Sequence, residues 1–295
     1  MKKYLIIIFT ISFSGFALYQ HLFTKSITDE MFLMGSKAKI TIVGNNVKLS
    51  REAMCKAFRI LNKLDKMMSF FSAQSELAKI NLSAIKSPVI LSKDMYTIIK
   101  AGLNYSEFTY GAFDFTAASL GRENGYKTII LDSEEQTVYF ADPRIKIDLG
   151  GIVVGYAIDC VVECFKELKI TNFLIDVGGD IYVSGKNKEK RFWQIGIRNP
   201  LKQDELIEQI SLINQAVTTS GNYLKQHIID PKSKEPAQSN ILSITVIAKK
   251  CIDADALATA FFVMGKDKTE EFLKKYPEIK TILVLHNGSV LKLNF

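Results

Sequence analysis

Apolar residues along this chain recur in two rhythms, one at every third or fourth position and one at every second. Between Val47 and Met68, the residues Met54, Phe58, Leu61, Leu64 and Met68 share one helical face, so a long amphipathic helix is predicted with that stripe against the core. Ser75 opens a short helix ending near Asn81. Ser92 is placed to cap a helix to about Phe108, with Met95, Ile99 and Leu103 inward. Further helices are predicted over Ile152 to Leu168, Asp255 to Met264 and Lys268 to Lys275. Period-two alternation marks strands at Ala38 to Val43, Lys127 to Leu131, Thr137 to Phe140, Ile145 to Leu149 and Asn172 to Val177. It continues at Phe192 to Ile197, Gln209 to Leu212, Ala216 to Thr218, His227 to Ile229 and Ile241 to Ala248. A closing hairpin around Asn287-Gly288 predicts a type I′ turn. Strands outnumber helices and often follow one another directly, which favours an α+β fold with mixed or antiparallel sheets over a doubly wound one.

The centre of this pattern is Ile145 to Gly185, where an alternating run meets Gly150-Gly151, a helix follows, and a second strand runs into Gly178-Gly179-Asp180. Glycines let backbone approach a ligand, and the first amides of a helix carry partial positive charge, so this is a potential anion seat. Close packing of the helix start is an equally good local reason for the same glycines. The spacing is not that of the G-x-G-x-x-G dinucleotide fingerprint, which argues against a nicotinamide dehydrogenase. Asp255 and Thr259 stand at i and i+4, where a carboxylate and a hydroxyl could share one hard cation. By itself Asp255 reads first as a capping charge near a helix start. His227 is the one histidine inside a motif, and it reads either as a structural residue or as a base.

At 295 residues and 47% hydrophobic, the chain can bury a sizeable core, as one large domain or two small ones. A net charge of +7 is modest for this size, and no long basic block suggests nucleic acid. Lys2 and Lys3 precede an uncharged, mostly apolar run from Tyr4 to Tyr19, the pattern of a signal peptide or short anchor over residues 1–25. Residues 28–295 are then expected to form an exported domain, in the periplasm or held at the inner membrane. Cys160 and Cys164 lie one helical turn apart and read as core, and with three histidines in the chain a His-rich metal site is excluded.

Several strings add a resemblance. Asp148-Leu149-Gly150-Gly151-Ile152, Gly155-Tyr156-Ala157-Ile158-Asp159 and Gly178-Gly179-Asp180-Ile181 resemble the ApbE-type FAD:protein FMN transferases. So, in order, do Met34-Gly35, Ser75-Glu76-Leu77, Gly111-Ala112-Phe113-Asp114, Trp193 through Pro200, Thr219-Ser220-Gly221, His227-Ile228-Ile229-Asp230-Pro231 and Ala254 through Thr259. The resemblance covers roughly residues 31 to 290.

It implies a T-fold-like α+β architecture with the flavin between its halves. It also implies an activity, the transfer of FMN from FAD to a Thr or Ser hydroxyl of a membrane or periplasmic flavoprotein, with release of AMP. The cation is expected to be Mg²⁺, held by Asp255, Thr259 and the carbonyl of Gly151. Flavin contacts are expected from Met34, Phe71, Ala112, Phe113, Asp114, Asp148 and Ile229, and His227 becomes the candidate base. A charge developing on the transferring phosphoryl group explains the need for a cation and helix-terminal amides.

There are departures. Val154 occupies a cofactor-side position where such proteins often carry Lys, so a phosphate contact there lacks its charge. Phe115 and Ala118-Ser119 replace the usual residues after Asp114, and the stretches from Leu120 to Tyr126 and from Tyr223 to His227 are short. Hydrolysis of FAD to FMN and AMP, or flavin binding without turnover, are the alternatives the sequence leaves open.

Overall fold

The computed structural model describes residues 24–119, 125–202, 204–222 and 226–295. The apolar run from Tyr4 to Tyr19, most of the Leu120 to Tyr126 stretch and Tyr223 lie outside them. The first described strand is β1 (Lys25–Leu33), which hairpins into β2 (Ser36–Gly44). No helix among the described residues is long and apolar enough to cross a membrane.

Eight strands form one sheet, and every neighbouring pair in it is antiparallel. The order is β1, β2, β6 (Phe173–Val177), β7 (Asp180–Ser184), β10 (Gln215–Ser220), β11 (Ile241–Ala248), β12 (Lys280–Leu285) and β13 (Val290–Leu293). A small sheet joins β3 (Val89–Ile90), β5 (Thr137–Phe140) and β4 (Ile129–Asp132), and β8 (Trp193–Arg198) pairs with β9 (Leu206–Leu212).

Five helices are described: α1 (Val47–Met68), α2 (Glu76–Ser83), α3 (Lys93–Phe108), α4 (Val153–Glu167) and α5 (Cys251–Leu273). The sequence explains their limits. Asn46 accepts the Leu49 amide at 3.0 Å, Ser75 that of Ala78 at 2.9 Å, and Ser92 that of Met95 at 3.3 Å. Each such cap is worth about 1 kcal/mol. The predicted stripe of α1 is buried along its whole length.

Alternation in the large sheet serves two cores. On β2, Ala38, Ile40 and Ile42 face the helices, while Val43 faces the other side. There Trp193, Ile195, Ile197, Ile210 and Leu212 of the β8–β9 hairpin cover Val183, Val217, Ile247 and Ile282. The Trp193 indole N–H donates to the Ser184 carbonyl at 3.0 Å, which fastens the hairpin to β7.

Four expectations are corrected. Ile145 to Leu149 is not a strand. Its Ile145, Ile147 and Leu149 are buried as the alternation requires, but its backbone bonds go elsewhere. The Asn81 side chain accepts the Ile147 N–H at 2.8 Å and donates to the Ile147 carbonyl at 2.9 Å, while Asp148 N–H donates to Phe115 O at 2.7 Å. Lys127 lies in a single 3₁₀ turn, so β4 starts only at Ile129. His227 to Ile229 contributes one isolated bridge, from Ile229 to Pro236, because its chain doubles straight back. The two predicted C-terminal helices are present as the two arms of α5, divided at Gly265 by a non-helical φ of 72°, and the first arm starts earlier than expected, at Cys251. In the last hairpin only Gly288 has positive φ, so the turn is not type I′.

Candidate active site

The clamp by Asn81 and Phe115 delivers the chain to Gly150-Gly151 in a fixed position, and α4 begins two residues later. Asp148 Oδ1 accepts the Gly150 N–H at 2.9 Å and shapes the turn. Further along, α4 meets the start of α5 at backbone distance. A Cβ on Gly155 would stand 2.6 Å from the Cys251 carbonyl oxygen, so only glycine permits the approach.

Each helix then supplies a carboxylate to the other. Asp159 of α4 accepts the N–H groups of Cys251 and Ile252 at 2.9 and 3.1 Å. Asp255 of α5 accepts the Gly155 N–H at 3.0 Å. Neither N-terminus carries a side-chain cap of its own, and the positive end of each dipole meets an acid from its neighbour. Asp255 is thus neither a cap of its own helix nor a surface charge, being only 6% exposed.

Acid crowds this junction. Burial first, then the charge of Asp180, holds the Asp255 carboxyl well above the usual range. Burial also raises Asp180, to about 7, and Asp159, to about 6. On the far side of the same turn of α5, Tyr105 donates to Asp253.

Gly151 lies against Thr259 and Phe113. A Cβ there would stand 3.2 Å from Thr259 Oγ1 and 3.3 Å from Phe113 Cε2. The glycine turn, the second turn of α5 and the Gly111–Asp114 loop therefore converge on one point. Oxygen donors of Asp255, Thr259 and the Gly151 backbone suit a hard divalent ion, and the mutual repulsion of Asp255 and Asp180 is what such a charge would offset. Among the described residues, no group of three or more His, Cys, Asp or Glu could hold a metal, so any ion here depends on hydroxyl and carbonyl oxygens as well.

The remaining candidates divide by location. Phe113 is buried, with its ring edge-on to Tyr105 at 6.3 Å. Asp114, 6% exposed, accepts the N–H and hydroxyl of Thr116 on Oδ1 at 2.8 and 2.6 Å. Ala112 lines a cavity of about 440 Å³ that runs between this loop, the 230–232 turn and α5. Ile229 is half-buried beside Pro236. His227 is exposed, and its N–H donates to Asn222 Oδ1 at 3.2 Å. Val154, in the first turn of α4, is half-buried and packs against the main core. Met34 takes a positive φ of 53° in the β1–β2 turn and donates its N–H to Asp65 at 3.0 Å. Phe71 is 95% exposed and touches the Phe70 ring.

Sequence reasoning assigns no role to Asp159 or Asp180. For Asp159 the local signal is its i+4 spacing from Gly155, the glycine that makes the crossing possible. Asp180 follows the second glycine pair, which marks the turn that brings it in.

An antiparallel α+β fold built on this glycine turn and helix junction matches known flavin transferases. The chain belongs to the ApbE family, whose model matches residues 34–124 and 120–283. It is 30% identical to the FAD:protein FMN transferase of Haemophilus influenzae, with 79% of each chain covered. It is 27% identical to that of Escherichia coli K12, over 82% of this chain and 79% of the relative. Among solved structures, the ApbE protein of Thermotoga maritima superposes with a TM-score of 0.82 at 28% identity, covering 91% of this chain and 97% of that one. The flavin transferase ApbE of Vibrio cholerae shares the fold, with a TM-score of 0.81 at 23% identity over 91% and 96% of the two chains.

Proposed function

We propose that this protein transfers FMN from FAD to a Thr or Ser hydroxyl of a partner flavoprotein and releases AMP, with Mg²⁺ held by Asp255, Thr259 and the Gly151 carbonyl. The observation that carries this reading is the convergence of Gly151, Thr259 and Phe113 beside a buried carboxylate whose charge is opposed by its surroundings. The names of the relatives give the reaction.

Bound there, the ion would supply positive charge to the phosphoanhydride as its bond to AMP breaks. The chain's own residues do the rest. The amides at the start of α4 face the anionic group, and Gly155 N–H keeps Asp255 in place. Phe113 and the loop around Asp114 orient the flavin end. His227, exposed at the rim, takes the proton from the acceptor Oγ as that oxygen bonds to phosphorus. The protein acceptor must reach this rim from solvent, in keeping with the exposure of His227.

The basic start and apolar run at the N-terminus support export, with the acceptor a flavoprotein of a membrane redox complex. A cytoplasm-only reporter fused after Thr24 should be inactive.

The central test is Mg²⁺-dependent AMP release from FAD by Asp255→Ala. A loss on the order of 10² to 10³ or more is expected, with FAD binding largely kept, because the metal acts mainly on charge developed in the transition state. Near wild-type release would overturn the metal assignment. Running the assay with and without an acceptor separates transfer from hydrolysis.

A further inference from the structure

A cleft of about 1060 Å³, more than twice the cavity beside Ala112, lies between α3 and α4 and ends against the first residues of α5. None of Gly151, Phe113, Asp255 or Thr259 lines it. On the α3 side Thr97, Ala101, Asn104, Tyr105 and Phe108 follow at the three- and four-residue spacing of one helical face. On the α4 side Tyr156, Cys160, Glu163, Cys164 and Glu167 do the same, while Ala157, Ile158, Val161 and Phe165 are buried in the core. The two thiols that helical spacing assigns to the core thus stand half-buried in the wall of this cleft. Its volume is that of a site for a small organic molecule.

The charges in the lining are sorted by depth. Lys166, Lys249 and Lys250 are all exposed, and Lys166 is paired with Glu163 at 2.7 Å. The charged groups set half-buried into the wall are both carboxylates, Asp159 and Asp253. Asp159 is occupied on both oxygens by the amides of Cys251 and Ile252. Asp253 is not. Its Oδ1 accepts the Tyr105 hydroxyl from across the cleft, and its Oδ2 has no hydrogen-bond partner among the described residues, yet it is not sealed from solvent.

An acid in the first turn of a helix is ordinary, since the dipole favours it there. This one is turned into an aromatic enclosure. Tyr105, Phe108, Tyr156 and Tyr182 bring rings from α3, α4 and β7, and two of them are pinned, Tyr105 by Asp253 and Tyr156 by Asp94 at 3.2 Å. Fixed aromatic faces beside a carboxylate with an open oxygen are the chemistry that recognises an organic cation.

We propose that this cleft is a second ligand site, which takes a small organic ammonium with an apolar or aromatic body, Asp253 Oδ2 accepting from the ammonium while Tyr105, Phe108 and Tyr156 enclose the body. The site is separate from the one that serves the flavin-transferase reading, and it stands whether or not that reading does. The two share a wall, because the Tyr105 ring also lies edge-on to Phe113 at 6.3 Å.

The test is binding of 2-phenylethylammonium and of 3-phenylpropionate to the full-length protein by isothermal titration, two probes with the same ring and opposite charge. The wild type should prefer the ammonium by about tenfold or more, the scale of a hydrogen bond to a charged group. Asp253→Asn, which removes the charge, should abolish that preference. Ala101→Trp and Cys164→Trp fill the cleft from opposite walls, and whichever of them melts cooperatively should lose about tenfold or more in ammonium affinity while binding FAD as the wild type does. Equal affinity of the wild type for the two probes would overturn the proposal. So would wild-type ammonium affinity in the folded filled variants, or displacement of the ammonium by saturating FAD. AMP release from FAD by the wild type is measured separately, so a failure here leaves the flavin-transferase reading intact, and a failure there leaves this site intact.

Discussion

The α4–α5 junction and the loop face around Asp114 meet at Gly151, but they are built in opposite ways. At the junction, backbone touches backbone, and the carboxylates of Asp159 and Asp255 are spent on the amides of the facing helix. On the loop face, Asp114 Oδ2 is buried without a hydrogen-bond partner, and elsewhere Phe71 stands almost wholly in solvent. Stability depends on the first region. In the proposed reading, the second selects what is held beside it.

The sharpest way to break this contrast is Gly155→Ala. The added methyl would meet the Cys251 carbonyl oxygen, carbon atom and the Ile252 Cα at 2.6 to 2.8 Å, all backbone, so the helices must separate. A loss of about 3 kcal/mol or more in urea unfolding is expected. A loss below 1 kcal/mol would mean that the crossing is soft.

A smaller effect follows from Asp159. Burial, its largest influence, lifts this carboxyl to about 6, above its ordinary value. Between about pH 4 and pH 6 the folded state therefore holds a proton that the unfolded chain has lost. Its contribution to stability is full below pH 4 and declines as the pH rises through 6. Asp159→Asn should remove about 1–3 kcal/mol of that decline, measured as the difference between two unfolding free-energy profiles against pH. Parallel profiles would show that the acid is not held in this way.

The smallest change in stability should come from the loop face. Phe71→Ala should lie within about 0.5 kcal/mol of the wild type in unfolding, as exposed substitutions usually do. It should nevertheless weaken FAD binding measurably in a fluorescence titration. Unchanged affinity would remove Phe71 from the binding surface.

The pattern of apolar residues revealed much of the scaffold and less of this contrast. Helix α1 was readable from the spacing of its apolar stripe, and the start of α3 from its cap residue Ser92. Ile145 to Leu149 misleads because alternation reports which side chains are buried, and says nothing of who satisfies the backbone; here the partner is Asn81, far away in the chain. Asp255, Thr259 and Gly151 could be grouped through a family resemblance, but the reciprocal use of Asp159 depends on a helix crossing that no local pattern encodes.

The exchange of acids between α4 and α5 also bears on motion. Amides at a helix start usually fray and trade hydrogen with solvent early. Here the Gly155, Cys251 and Ile252 protons are each held by the opposite helix, so none can be released without disturbing the crossing. These three amides should exchange at one common rate, slower than their positions suggest, and Asp159→Asn should hasten all three together. In the proposed reading, the floor of the active site would then open as a single hinge-free block.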